Sequence, residues 1–246
     1  MRVALFGYGK MGKEIEQVLI SRNHTIVAKL SSDHSKEDLN INDIDVVIEF
    51  STPKTAKENI QFCINHQLPI IVGTTGNWYN ELDYLTELCN KKNSILVHGT
   101  NFSIGVNIFF ALNTKLAELM NASLGYEANV REIHHTEKKD APSGTGITLA
   151  EDIIEHITTY KTWENVDKAG VSAASVLSLE SERFPDVPGT HIVTYENDID
   201  KIECIHTAKN RKGFALGSVL AAEWSLNKKG VFSIKEIMPQ LIKELL

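Results

Sequence analysis

Met1-Arg2-Val3-Ala4-Leu5-Phe6-Gly7-Tyr8-Gly9-Lys10-Met11-Gly12 decides the fold. Arg2 to Phe6 is a short apolar run of the kind that forms a buried strand, and glycines at 7, 9 and 12 follow at once. Over Lys13–Ser21 the residues Ile15, Val18 and Leu19 share one face at helical spacing. A lone Gly-x-Gly-x-x-Gly is a weak signal; between a strand and an amphipathic helix it marks the phosphate-binding turn of a dinucleotide fold. The first glycine permits the tight turn, the second lets a pyrophosphate approach the backbone, and the third lets helix pack on strand. Phosphate charge then meets the N–H groups at the helix start. Gly7, Tyr8, Gly9, Lys10, Met11 and Gly12 are therefore the first candidate cofactor-binding residues.

Working outward, Thr25–Leu30, Asp45–Phe50, Leu68–Val72 and Ile95–His98 read as further strands, with helices over Thr55–His66 and Trp78–Lys91. Strands alternating with helices predict an α/β, Rossmann-type, doubly wound parallel sheet. After Asn101 the rhythm changes. A helix over Val106–Met120, a strand over Ala128–His134 and a helix over Ser143–Ile157 lead into β-rich stretches at Val171–Arg183, His191–Glu196 and Lys201–Thr207. With no helices between those stretches, this is a second, α+β domain on a mixed open sheet. Gly213–Leu226 and Ile234–Leu245 read as closing helices. The expected division is 1–102 with 213–246 for the dinucleotide, and 103–212 for substrate and subunit pairing.

At 246 residues, 42% hydrophobic and 23% charged, the chain has ample core for such a fold. Its formal net charge of −7, from 25 basic and 32 acidic residues, argues against a general nucleic-acid or membrane-surface role. Cys63, Cys89 and Cys204 are widely spaced, with no Cys-x-x-Cys pair, which suits a reducing compartment. No apolar run reaches the ~20 residues of a spanning helix, and no signal peptide precedes the first strand. A soluble, cytoplasmic protein is expected.

Gly73-Thr74-Thr75-Gly76 and Gly99-Thr100-Asn101-Phe102 follow strand C-termini, where ligands lie in open α/β sheets. Gly73, Thr74, Thr75, Gly99, Thr100, Asn101 and Phe102 join the cofactor candidates, although either run also fits an ordinary glycine turn. The acidic residue that holds NAD ribose is expected about twenty residues past the loop. Ser31, Ser32 and Asp33 stand there instead, with Lys29 and Lys36 near in sequence. Serines can bond a hydroxyl or a 2′-phosphate, so NADPH and NADH both stay open, with Ser31 as a contact.

A second stretch carries the chemistry: Glu132-Ile133-His134-His135-Thr136-Glu137-Lys138-Lys139-Asp140-Ala141-Pro142-Ser143-Gly144-Thr145. If the strand continues through Glu132, the pleat sends His134 and His135 to opposite faces. Ser143 reads as an N-cap with Asp140 favourable to the helix dipole, so the N–H groups of Gly144 and Thr145 can face a carboxylate or phosphate. Lys139 suits a solvated charge. A metal site is disfavoured, since adjacent strand histidines rarely converge on one ion and no third ligand stands at metal spacing. A plain capped helix is the bland alternative; acid–base groups beside an anion site and a dinucleotide loop point to catalysis.

The stretch resembles the signature of the dihydrodipicolinate reductases. The resemblance runs through the glycine loop, Gly73-Thr74-Thr75, Asn101-Phe102, Val187-Pro188-Gly189-Thr190 and the Arg211 to Trp224 region, in order. It implies reduction of a small cyclic dicarboxylate of lysine and diaminopimelate biosynthesis, 4-hydroxy-tetrahydrodipicolinate, by NADPH or NADH. It also implies His134 as proton donor and acceptor, Lys138 as proton donor, and substrate contacts from His135, Ser143, Gly144 and Thr145. Arg211 joins the cofactor residues by the same resemblance, and a homotetramer formed through the second-domain sheets is implied. The chain departs from the family in its Ser31-Ser32 pair and in a short 31–45 connection. Two competing readings are another two-domain amino-acid or semialdehyde dehydrogenase, and a non-enzymatic dinucleotide-sensing module. The dehydrogenase reading has no special need for His135 or Gly144, and the sensing module does not need His134, His135 and Lys138 together.

Overall fold

The computed structural model describes residues 1–31, 36–122, 125–166 and 173–243. The chain divides into two compact units, Met1–Ile104 with Arg211–Leu246, and Gly105–Asn210.

In the first unit β1 (Arg2–Phe6), α1 (Lys10–Ser21), β2 (Thr25–Leu30), β3 (Val46–Glu49), α2 (Ala56–Asn65), β4 (Ile70–Val72), α3 (Leu82–Lys92) and β5 (Ile95–His98) alternate as expected. The connection continues as α4 (Ile104–Met120) into the second unit, β6 (Glu127–His134), α5 (Gly144–His156), β7 (Thr162–Val166), β8 (Val176–Arg183), β9 (Thr190–Glu196) and β10 (Lys201–Thr207). The chain then returns to the first unit with α6 (Lys212–Ser225), β11 (Gly230–Ser233) and α7 (Ile234–Lys243).

The first sheet runs β2-β1-β3-β4-β5-β11, every pair parallel. Its residues divide by parity. Val3, Leu5, Val46, Ile48, Ile71 and Val97 pack with Ile15 and Leu19 of α1, Val219 of α6 and Leu241 of α7. Ala4, Phe6, Val47, Ile70, Val72 and Leu96 pack with Ile60 and Ile64 of α2 and Leu85 of α3. A strand covered on both faces needs apolar residues at every position, which is why these segments read as continuous runs. Each fully buried Leu, Ile or Phe contributes ~1.5–3 kcal/mol. The order reverses at β1, which has β2 on one side and β3 on the other, so the crevice at their C-terminal ends is where a ligand belongs.

The second sheet runs β10-β9-β6-β8-β7, mixed as expected: β6–β8 and β7–β8 are parallel, β6–β9 and β9–β10 antiparallel. Phe109 and Phe110 of α4 and Leu149 and Ile153 of α5 pack on Val130, Leu179, Val193 and Tyr195. The opposite face carries Asn129, Arg131, Glu180, Ile192, Thr194 and Glu203 and lines an open groove.

Several boundaries differ from the sequence reading. The expected helix from Trp78 begins as a 3-10 turn over Asn77–Glu81 before α3 takes over. Within the expected β stretch at Val171–Arg183 the strand starts at Val176, and residues 171–172 lie outside the described residues, as do 244–245 of the last helix. β7 and β11 were not anticipated. No described helix is long and apolar enough to cross a membrane.

Candidate active site

In the first unit the glycines act as the motif requires. Gly7 has φ +96, and a Cβ there would overlap the Phe50 carbonyl on the loop after β3. Its N–H donates to Leu30 O at 3.0 Å, closing the turn over β2. At Gly12 a Cβ would overlap Gly7 O, so close helix–turn packing needs glycine there too. Nothing lies within 4 Å of the Cβ position of Gly9, which leaves its backbone open to a ligand. No side chain caps α1 and no acidic residue occupies its first turn, so its N–H groups meet no built-in anion. The adjoining cleft of about 830 Å³ is lined by Gly7, Tyr8, Gly9, Ser31, Lys36 and Thr52, among others. An uncapped helix start over a Cβ-free cradle fits a dinucleotide pyrophosphate.

The remaining cofactor candidates fall into two kinds. Ser31 lines the cleft, whereas Ser32 and Asp33 lie outside the described residues. Lys29 is engaged elsewhere: it pairs with Glu16 at 2.5 Å and reaches Tyr8 Oη at 3.2 Å, and Tyr8 itself donates to Glu16. Lys36 stays at the cleft, 3.8 Å from Glu58. Lys10 is exposed and Met11 packs partly on the core. Gly73 lies against the Phe50 ring, Thr74 is buried with its carbonyl accepting Trp78 Nε1–H at 2.8 Å, and Thr75 is exposed. Gly99 is packed against Ile234, Thr100 is exposed, and Asn101 Oδ1 accepts the Ser103 N–H at 2.9 Å. The Phe102 side chain is core, with its ring 5.9 Å from that of Phe50, so only its backbone is available to a ligand. Arg211 is exposed at the start of α6.

Sequence reasoning passed over Glu49. It ends β3 fully buried and accepts from Ser51 N at 3.1 Å, from the Ser51 hydroxyl and from Asn59 at 3.4 Å. Burial pushes its carboxyl up despite those donors. An acid closing an otherwise apolar strand was the available signal.

In the second unit β6 alternates strictly, and Ala128, Val130, Glu132 and His134 form its buried phase. Glu132 binds the start of α5 to this strand. Its Oε1 accepts the Ser143 N–H at 2.9 Å, and its Oε2 accepts the Ser143 hydroxyl. Arg183 Nη2, from the neighbouring β8, reaches Oε1 at 3.3 Å and donates to the Asp140 carbonyl at 2.6 Å. Ser143 is the N-cap, as predicted, with its Oγ accepting the Gly146 N–H at 3.1 Å. Gly144 and Thr145 are the first two residues of α5, directly after this cap.

His134 ends the strand, and His135 lies just beyond it. Burial pushes the His134 imidazolium down; Glu132 opposes this, and Lys138 and Arg183 add to it. Lys138 Nζ sits 2.8 and 2.9 Å from the two carboxylate oxygens of Asp140. Asp140 thus forms an ion pair with Lys138. Burial alone would raise that carboxyl, but Lys138 and then Arg183 hold it below its usual range. Lys139 is exposed.

One arrangement was invisible in the linear spacing. His191 of β9 lies opposite Glu132, and Glu132, His134 and His191 bring possible metal-ligand atoms within 4.8 Å of one another. The third ligand missing from the local spacing thus comes from another strand. The carboxylate is already met by Arg183 and Ser143, so its charge needs no metal ion to compensate it.

Residues 1–102 match the family model for the N-terminus of dihydrodipicolinate reductase, and residues 105–238 the model for its C-terminus. Over 243 residues the chain is 46% identical to the 4-hydroxy-tetrahydrodipicolinate reductase of Christiangramia forsetii, covering 99% of this chain and 100% of that protein. It is 31% identical to that of Thermosipho africanus, over 98% and 99% of the two. Its fold is similar to that of a solved dipicolinate-bound dihydrodipicolinate reductase from Paenisporosarcina, with a TM-score of 0.73 at 24% identity, over 96% of this chain and 99% of that one. From its first strand to its last helix, the chain belongs to the dihydrodipicolinate reductase family.

Proposed function

We propose that this chain is an NAD(P)H-dependent oxidoreductase that reduces 4-hydroxy-tetrahydrodipicolinate to tetrahydrodipicolinate in lysine and diaminopimelate biosynthesis. The observation that carries the reading is the Glu132 tie, which fixes the strand end bearing His134 to the anion-ready start of α5.

The glycine loop, Ser31 and the turns after β4 and β5 would hold the dinucleotide. Bound there, the reduced nicotinamide would supply hydride to a ring carbon of the substrate. The chain's own residues do the rest. The N–H groups of Gly144 and Thr145, with the Ser143 cap and His135, hold a substrate carboxylate. His134 and Lys138 deliver the proton that the reduced ring needs, and the Lys138 ammonium also attracts the dicarboxylate. Asp140 orients Lys138 through its two contacts at 2.8 and 2.9 Å. Burial lowers the His134 pKa, so the ring is neutral at rest and, once protonated, gives its proton up readily. Residues 105–210 would be the substrate-binding and tetramerisation unit, of a homotetrameric cytoplasmic enzyme.

The assay supplies the product of the preceding aldolase and follows reduced-nicotinamide absorbance; no loss at saturating substrate refutes the reading. His134→Ala and Lys138→Ala should each lower turnover by ~10²–10⁴, the usual worth of an acid–base group. Parallel titrations with NADH and NADPH then fix cofactor preference, with Ser31 and Lys36 as the residues to vary.

A further inference from the structure

The buried carboxylate of Glu132 has more to do than cap a helix. The Ser143 hydroxyl has one proton and two lone pairs. The proton goes to Glu132 Oε2 and one lone pair takes the Gly146 N–H at 3.1 Å. What remains to face His191 Nε2, 3.3 Å away, is a lone pair, so His191 carries its proton on Nε2. Glu132 Oε2 also lies 3.8 Å from His134 Nδ1, a buried nitrogen with no hydrogen-bond partner among the described residues. The rings of His134 and His191 meet edge to face, centroids 5.0 Å apart at 72°. Gly189 keeps the space beside Nε2 free of a side chain: a Cβ there would stand 3.1 Å from that nitrogen.

We propose that Glu132 is the positioning residue for proton transfer. Its carboxylate keeps the proton of neutral His134 on Nδ1, leaves Nε2 as the working nitrogen, and becomes the counter-ion when the ring takes a second proton. His191 steadies that carboxylate through the Ser143 hydroxyl. This rests on the assignment of His134 to proton transfer. A separation of 3.8 Å is an ion-pair distance, and contacts of this kind commonly tighten when substrate binds. The groups facing the His134–His191 pair are Glu132 on its own strand, Arg183 on β8, His206 on β10, and Lys138 and Asp140 on the loop. Among them Glu132 is the strongest influence favouring the charged ring.

The test is ring-nitrogen NMR of the full chain with labelled histidines at neutral pH, His134→Asn supplying the assignment. In Glu132→Gln the amide oxygen must stay with the two obligate donors, the Ser143 N–H and Arg183. The NH₂ then takes the place of Oε2 and faces Nδ1, which must become an acceptor. The expected result is Nδ1–H in the native protein, Nε2–H in Glu132→Gln, and kcat lowered by on the order of 10² with KM for the dicarboxylate little changed. Identical His134 tautomers in the two proteins overturn the proposal. Should Glu132→Gln not fold, the second strand decides: His191→Leu should lower kcat ~10-fold, and His191→Gln, which keeps an N–H near the Nε2 position, should recover most of that loss. Equal rates in those two variants overturn the role of His191. A fully active His134→Asn removes the proton-transfer assignment itself, and the tautomer measurement stands apart from that outcome.

Discussion

Among the described residues two carboxylates, Glu49 and Glu132, are fully buried, one in each unit, and they are treated differently. Taking such a group from water costs several kcal/mol unless a counter-charge and donors replace the solvent. Glu132 has Arg183 and both Ser143 donors, whereas the hydrogen bonds to Glu49 come from neutral donors and burial prevails. His191 meets the same cost by staying neutral. Burial first, and then the neighbouring His134, pushes its pKa from 6.5 to about 3. The folded pKa is the lower one, so as pH falls the unfolded chain takes the proton first. The associated stability is complete above pH 6.5 and is lost progressively towards pH 3. Thermal unfolding between pH 7.5 and 4.5 should accordingly fall more steeply for the native protein than for His191→Leu; equal slopes would refute the linkage. Part of this cluster was legible beforehand, because Glu132 keeps phase with Ala128 and Val130 and therefore points inward. Its partner Arg183 lies 51 residues further along, and only the strand register brings the two together.

At the scale of elements, the start of α5 depends on one hydroxyl. Ser143→Ala loses the cap, ~1 kcal/mol, and deprives a buried carboxylate of a donor, ~1–3 kcal/mol. Urea unfolding should show a loss of ~2–4 kcal/mol. Gly7→Ala should exceed the ~1–2 kcal/mol of a left-handed residue alone, because the new Cβ also meets Phe50 O. The same variant should weaken dinucleotide binding in a fluorescence titration. The apolar strands of the first sheet were legible because burial on both faces leaves no polar phase to confuse the pattern. β7, Thr-Trp-Glu-Asn-Val, was not: it is an edge strand, and its residues are exposed or half-buried. β11 escaped for a related reason, being a four-residue edge strand with every residue half-buried. An exposed polar edge carries neither a two-residue alternation nor an apolar run.

For the molecule as a whole, the uncovered face of the second sheet is the feature that composition could not reveal. Arg131 pairs there with Glu182 beside Ile192, and Ile205 is 58% exposed. Half-buried charges interleaved with isoleucines suit pairing with another copy of the chain. Light scattering at micromolar concentration should give four times the 27.4 kDa chain mass, and a monomer would refute the tetramer. Dilution should then lower the melting temperature, as for any assembly that stabilises its subunits by mass action.

The return of the chain to its first unit has a consequence for synthesis. Gly105–Asn210 is contiguous and is complete once Asn210 has left the ribosome, whereas the first unit is completed only by Arg211–Leu246. Until α6 and α7 arrive, Val3, Ile48 and Val97 lack the cover that those helices add to α1, and β5 ends the sheet as an open edge without β11. Translation therefore passes through a state with one finished unit and one sticky, unfinished sheet. A ribosome that stops after Asn210 releases a chaperone client and a proteolytic target, not a weakened enzyme.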